Sequence, residues 1–351
     1  MDRLQRLDGT RGLLAVYVML GHALPLAACP GWLNALFSHG QAAVDLFFAL
    51  SGFVIVGSLA RHGNRFWPFM AARGRRLLPV YMLVLALAVL ATAKADPLAA
   101  LPWAGQAARD IVSPSLPAPL WAHLLAHLTL LHGLIPQSLL PYGWVTILGP
   151  AWSLSTEWQF YLLIALAAPR RLDIFALALL GLGVLYPLLP LGGEFSRAFL
   201  PAACGWFALG IASRLWLLSN RLGLFIICLA GVCMLSLATG PGKAATALVW
   251  TMLMLAQRHG WGRVLSARPL LYLGAISYPL YLVNEPVERL LALWLGPALT
   301  HHPLFFSLAF LPLSALLSLT AAALLHHGVE RPFMQSNKKF LPGVIARPAR
   351  Q

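Results

Sequence analysis

The chain has 351 residues, of which 59% are hydrophobic and only 10% charged, a balance that excludes a water-soluble globule. Its formal charge of +14 would suit nucleic acid in a soluble protein. In a chain this apolar, basic residues first report membrane orientation, so lipid is the expected surrounding and no nucleic acid is expected as a partner.

A hydrocarbon core about 30 Å thick takes about 20 apolar residues per helix. Such runs recur at 11–29, 42–59, 76–95, 149–168, 172–190, 198–214, 222–240, 243–257, 270–296 and 305–327. The expected fold class is an all-α polytopic membrane protein with about ten transmembrane helices and both termini cytoplasmic. One integral membrane domain, 1–335, would be followed by a basic cytoplasmic tail, 336–351. The first run is too long for a signal-peptide core and reads as a retained helix.

With the N-terminus inside, the cytoplasmic segments collect Arg61, Arg65, Arg73, Arg75, Arg76, Arg170, Arg171, Arg258, Arg263, Arg268, Lys338 and Lys339 among others. Lys94, Arg109, Arg197 and Lys243 are left outside. "PLWAHLLAHLTLLHGLI", Pro119 to Ile135, is apolar but short and carries three histidines. If it spanned, the later basic loops would face outward, so it reads as an amphipathic or re-entrant helix at the outer face.

Polar groups within spans are costly and mark candidate sites. In "RGLLAVYVMLGH", Arg11 and His22 lie eleven residues apart, close to three full turns, so they share one face about 16 Å apart along the axis. Arg11 could instead snorkel at the interface and His22 could be a hydrogen-bonded core residue. The second helix carries Asp45 one turn below the outer surface and Ser51 two turns deeper. Asp45 either orients His22 or stabilises the helix start.

"RGRRLLPVY" clusters Arg73, Arg75 and Arg76 at a cytoplasmic mouth. They serve as topology determinants or as guanidinium forks for phosphate. Pro79 just inside the helix would kink it. In "PAWSLSTEWQFYLLIAL", Glu157 falls mid-span, at about the depth expected for His22. Trp152, Ser153, Ser155, Trp158, Gln159 and Tyr161 around it suit a sugar-like substrate, although a helix-bonding Glu–Arg pair is the structural alternative. "SYPLYLVNEPVERLL" places Tyr278, Tyr281, Asn284, Glu285, Glu288 and Arg289 within three turns; Glu285 and Arg289, at i, i+4, could satisfy each other. Glu330 and Arg331 in "HHGVERPF" read as interfacial and structural.

"HLLAH" lacks the glutamate of HExxH, so no metal is expected, and no GxGxxG, Walker lysine or GxSxG elbow is present. The four cysteines lack CxxC spacing and read as packing residues.

Taken in order, "LDGTRGLLAVYVMLGH", "VDLFFALSGFVI", "RGRRLLPVY", "WSLSTEWQFYLL", "ISYPLYLVNEP" and "VERPF" make a sequence that resembles the membrane-bound acyltransferase-3 family, the bacterial surface-glycan O-acetyltransferases. The resemblance implies an enzyme of the bacterial cytoplasmic (inner) membrane. It would take an acyl group, commonly acetyl from cytoplasmic acetyl-CoA, and deliver it to a hydroxyl of an extracytoplasmic glycan such as a surface polysaccharide. It maps the family's basic residue and histidine onto Arg11 and His22, its cytoplasmic arginines onto Arg73 and Arg76, and its mid-membrane glutamate onto Glu157. Two departures stand out. Asn284 occupies a position where many members carry histidine, and no extracytoplasmic catalytic domain is appended, so the membrane domain either completes the transfer or hands its acyl group to a separate extracytoplasmic protein.

The expected roles follow. His22 acts as general base with Asp45 or Glu157 holding the imidazolium, and Arg11, Arg73, Arg75 and Arg76 bind acyl-CoA. Trp152, Ser155, Trp158, Tyr161, Tyr278 and Asn284 bind the acceptor. A different reading, a proton-coupled transporter of a glycan or lipid-linked intermediate, uses the same buried groups without acylation.

Overall fold

The computed structural model describes residues 2–191 and 193–335. The tail from 336, with Lys338, Lys339, Arg347 and Arg350, lies outside the described residues. Among the described residues there is no strand. The long helices are α1 (Asp2–Ala23), α2 (Gly40–Arg61), α3 (Phe66–Thr92), α4 (Ala151–Ala167), α5 (Leu172–Leu185), α6 (Cys204–Ser219), α7 (Leu222–Thr239), α8 (Gly242–His259), α9 (Arg268–Leu299) and α10 (Pro303–Leu325). They occupy the ten apolar segments picked out above. Among the described residues, four helical stretches are long and apolar enough to cross a membrane: Gly31–Arg61, interrupted at Ser38 and His39, Phe66–Thr92, Leu200–Ser219 and Pro303–Gln335.

Helix ends differ from the apolar runs where backbone chemistry intervenes. α1 begins at Asp2, ahead of the apolar run, and stops at Ala23, where Pro25 turns the chain into a short 3₁₀ segment, Leu24–Leu26. His22 therefore sits in the last turn of its helix. α9 runs for 32 residues through Pro279, Pro286 and Pro297. Such breaks are tolerated in a bundle because neighbouring groups re-satisfy the freed backbone.

The segment Leu120–Leu128 forms a helix of nine residues, about 13 Å long and too short to span. It buries His123, Ala126 and His127 and exposes Trp121, Leu125 and Leu128. The Tyr81 hydroxyl of α3 donates to the His127 carbonyl at 3.0 Å, anchoring the short helix to the bundle. The His127 and His132 rings stack at 4.2 Å. His127 Nδ1 lies 2.8 Å from the His123 carbonyl and His132 Nε2 lies 3.2 Å from that of Ala151, so both nitrogens donate. These histidines are structural in their contacts.

α1 and α9 run parallel and pack along most of their shared length. They approach closely at Gly12 and Gly274, where a Cβ on Gly274 would lie 2.1 Å from the Asp8 carbonyl oxygen. A Cβ on Gly12 would lie 2.7 Å from the Gly274 backbone nitrogen and 2.7 Å from Leu273 Cβ. A small-residue contact of this kind lets helix backbones approach where lipid supplies no hydrophobic drive. It also sets the register in which Arg11 faces Ser277 and Tyr278 while His22 reaches Asn284.

Gly12→Ala should therefore destabilise the protein by about 1–3 kcal/mol through overpacking. Gly181, inside α5 with open space at its Cβ position, should accept alanine with no loss. Thermal unfolding of the two variants in detergent checks the contrast; equal stability would refute the contact's role.

Candidate active site

A cleft of about 890 Å³ lies between α1, α2, α3, α4 and α9. Its charged lining is Arg11, Arg73, Arg76 and Glu157, with Tyr161, Tyr278 and Tyr281 beside them. The guanidiniums are anchored separately. Arg73 donates from Nη2 to Ser58 Oγ at 2.8 Å and lies over the Phe69 and Tyr161 rings, 5.9 Å from each centroid. Arg76 Nε pairs with Glu330 Oε1 at 3.7 Å, and Arg11 Nη1 with Asp8 Oδ1 at 3.8 Å. Glu330 is itself buried and accepts from His326 Nδ1 at 2.7 Å, within a π-helical turn, His326–Glu330. Such turns recur at functional sites because they re-aim a side chain; this one aims a carboxylate at Arg76.

Glu157 is fixed by two hydroxyls that converge on one oxygen. Ser51 Oγ donates to Oε1 at 2.6 Å, and the Tyr161 hydroxyl, one turn along the same helix, donates to the same atom. Mid-bundle, a carboxylate held this way near three cations is far less costly than an isolated one. The Nε atoms of Arg73 and Arg76 are buried without hydrogen-bond acceptors. Buried donors of this kind normally find partners; Arg76 Nε has the Glu330 carboxylate 3.7 Å away, just beyond hydrogen-bond reach.

His22 stands apart from the cleft lining. Its Nδ1 lies 2.9 Å from Asn284 Oδ1. The Asn284 amide nitrogen donates to the Leu280 and Tyr281 carbonyls at 2.9 and 2.8 Å, which fixes the side chain's orientation. The oxygen facing His22 can only accept, so Nδ1 carries the proton and Nε2 keeps its lone pair. Tyr281, whose carbonyl holds Asn284, lines the cleft, so imidazole and cleft are one helical turn apart along α9.

Several expectations need correction. Asp45 neither caps α2 nor touches His22; five residues into the helix, it accepts from Gln41 Nε2 at 2.9 Å. Glu157 does not hold His22 either, because it lies with the arginines, toward Tyr278, while His22 lies higher at Asn284. Ser155 is fully buried and tied to the Leu130 carbonyl and the Gly133 amide. Trp158 packs edge-on to Tyr161, and Trp152 packs against Phe48 and Trp144; neither lines the cleft, nor does exposed Arg75. Arg289 does not pair with Glu285. Its guanidinium closes the end of α3, donating to the carbonyls of Ala91, Ala95 and Ser113 at 3.1, 2.7 and 2.5 Å. The structure adds Ser58, Ser277 and Tyr281 to the site's own residues and Glu330 to those that hold it.

If the buried Glu330 carboxylate couples His326 to Arg76, Glu330→Gln and His326→Ala will be strongly non-additive. A double-mutant cycle on thermal unfolding should give a coupling of about 1–3 kcal/mol; additivity within error would show that the two side chains act separately.

No solved structure matches the chain. "Protein 2 in picA locus" of Rhizobium radiobacter is 37% identical over 94 residues, covering 24% of this chain and 44% of that protein. The chain thus spans less than half the length of this relative. The model of the family described as "Acyltransferase domain" matches residues 4–327. That match takes in every residue of the cleft and the His22–Asn284 pair, and the chain therefore belongs to the acyltransferase-3 family, which supports an acyltransferase function in general.

Proposed function

We propose that the protein is a ten-span enzyme of the bacterial cytoplasmic membrane that moves an acyl group, acetyl by default, from cytoplasmic acyl-CoA to a hydroxyl of an extracytoplasmic glycan. The observation that carries this reading is the tautomer of His22. With Nδ1–H committed to Asn284, Nε2 is a neutral base one helical turn along α9 from a cleft that holds three anchored guanidiniums.

Arg11, Arg73 and Arg76 would hold the phosphates of the donor, since guanidinium forks suit phosphate oxygens and the Nε atoms of Arg73 and Arg76 are buried without a hydrogen-bond acceptor. The thioester supplies an activated acyl group. His22 Nε2 takes the proton of the acceptor hydroxyl as that oxygen bonds to the acyl carbon; the carbon–sulfur bond breaks, and the imidazolium returns the proton to the departing sulfur. Asn284 Oδ1 stabilises the imidazolium through Nδ1–H and keeps the ring aimed, the positioning task that a carboxylate performs in hydrolase triads. Asn284, at a position where relatives often carry histidine, thus has a role that needs no titration. Glu157 balances the three cations, and with both hydroxyls on Oε1 its second oxygen is free to accept from amide groups of the donor.

His22→Ala should lower transfer in purified protein by about 10²–10⁴-fold with donor binding retained. Asn284→Leu should lower kcat with little change in the donor KM. Mass spectrometry of the surface glycan from cells with wild-type protein, without it and with His22→Ala tests the whole reading. A glycan heavier by one acyl group only with wild-type protein supports it. Equal acylation in all three with less glycan at the surface would make the protein a transporter.

A further inference from the structure

A second hollow, of about 920 Å³, is formed by the segments that join α3 to α4 and α5 to α6. Gln137, Tyr142, Trp144, Ser196 and Arg197 line it. Arg197 is its charged residue. The guanidinium lies over two indoles, 5.3 Å from the Trp144 centroid and 5.8 Å from that of Trp152. Its Nη1 donates to Gln41 Oε1 at 3.1 Å, and the other end of that amide donates to Asp45 Oδ1 at 2.9 Å. A buried carboxylate, an amide and two rings therefore aim one cation. Asp45, which sequence placed beside His22, belongs to this assembly.

The neighbouring acid, Glu194, is already occupied, accepting from Ser138 Oγ at 2.7 Å. Tyr142 is 69% exposed and holds a left-handed backbone at φ +55, pinned by its amide to Gln137 Oε1 at 2.8 Å. That hydrogen bond holds Tyr142 in a conformation that L side chains rarely adopt. Trp152 links the two cavities, since its ring meets Phe48, which lines the first cleft, at 6.0 Å.

Aromatic faces stack on the apolar face of a pyranose, and a guanidinium fork pairs with a carboxylate. A neutral sugar would use the rings and leave the Arg197 charge to the Asp45 carboxylate, which reaches it through the Gln41 amide, whereas a carboxylate on the sugar would meet the guanidinium directly. We propose that this hollow is an acceptor subsite for an acidic saccharide, one carrying a uronate carboxylate, with Trp144 and Tyr142 as platforms and Arg197 as the carboxylate's partner. This rests on the acyltransfer reading for its purpose, though not for its geometry.

The test is calorimetric titration of the full chain in neutral detergent with tetramannuronate, with mannotetraose and, on the same samples, with CoA. Tetramannuronate should bind at least about tenfold more tightly than mannotetraose, and Arg197→Gln should cut that preference to about twofold or less. Trp144→Ala should weaken both sugars. Equal binding of the two sugars, or a preference that survives Arg197→Gln, overturns the proposal, as does Arg197-dependent binding of a short-chain phosphatidylglycerol in place of the uronate. CoA binding separates the two readings. If CoA binds and the sugars are not discriminated, the subsite fails alone; if the sugars are discriminated and CoA does not bind, the donor assignment fails alone.

Discussion

The contact between Gly12 and Gly274 underlies the rest of the site. Two parallel helices meet there closely enough that no side chain fits between their backbones, and their relative register is fixed to within a residue. In that register the cation at Arg11 faces the cleft and the imidazole at His22 meets an amide on the neighbouring helix. A slip of one residue would rotate each group by about 100° and separate them.

Beyond that contact, the organising requirement is that ionised groups away from water be held. Each cleft guanidinium has its own anchor, a serine hydroxyl for Arg73 and carboxylates for Arg76 and Arg11. Glu157 has two hydroxyls and Arg289 three carbonyls. The anchors of Arg73, Arg76 and Arg289 and the Ser51 hydroxyl on Glu157 come from other segments of the chain, whereas Asp8 and Tyr161 act within their own helices. Preorganisation of this kind lets a polar site act without rearranging its own dipoles.

The positions of the long helices were legible in the apolar runs, and the pairing of Arg11 with His22 on one face followed from their spacing. The lining of α4 was legible in part. Ser153, Glu157 and Tyr161 are spaced by four and share a face, whereas Ser155 and Trp158 are turned away from Glu157 by about 200° and 100°. Trp152, Ser155 and Trp158, chosen by chemical type in place of helical phase, do not line the cleft. Asp45 misled because a local partner, Gln41, one turn earlier on the same helix, wins over a distant one. Glu330 was unreadable as an anchor for Arg76, because only the packing of the π-helical turn after α10 against α3 brings together residues 254 positions apart in sequence.

The parallel pairing of the first long helix with the ninth also constrains biogenesis. During synthesis α1 to α4 emerge early, and with them the arginines, Glu157 and His22 itself. Asn284 and Gly274 emerge only near the end. Until then His22 has no amide to select its tautomer, and the cleft has no wall on the α9 side. The nascent protein thus has no complete cleft, and no fixed imidazole beside it, for most of its translation.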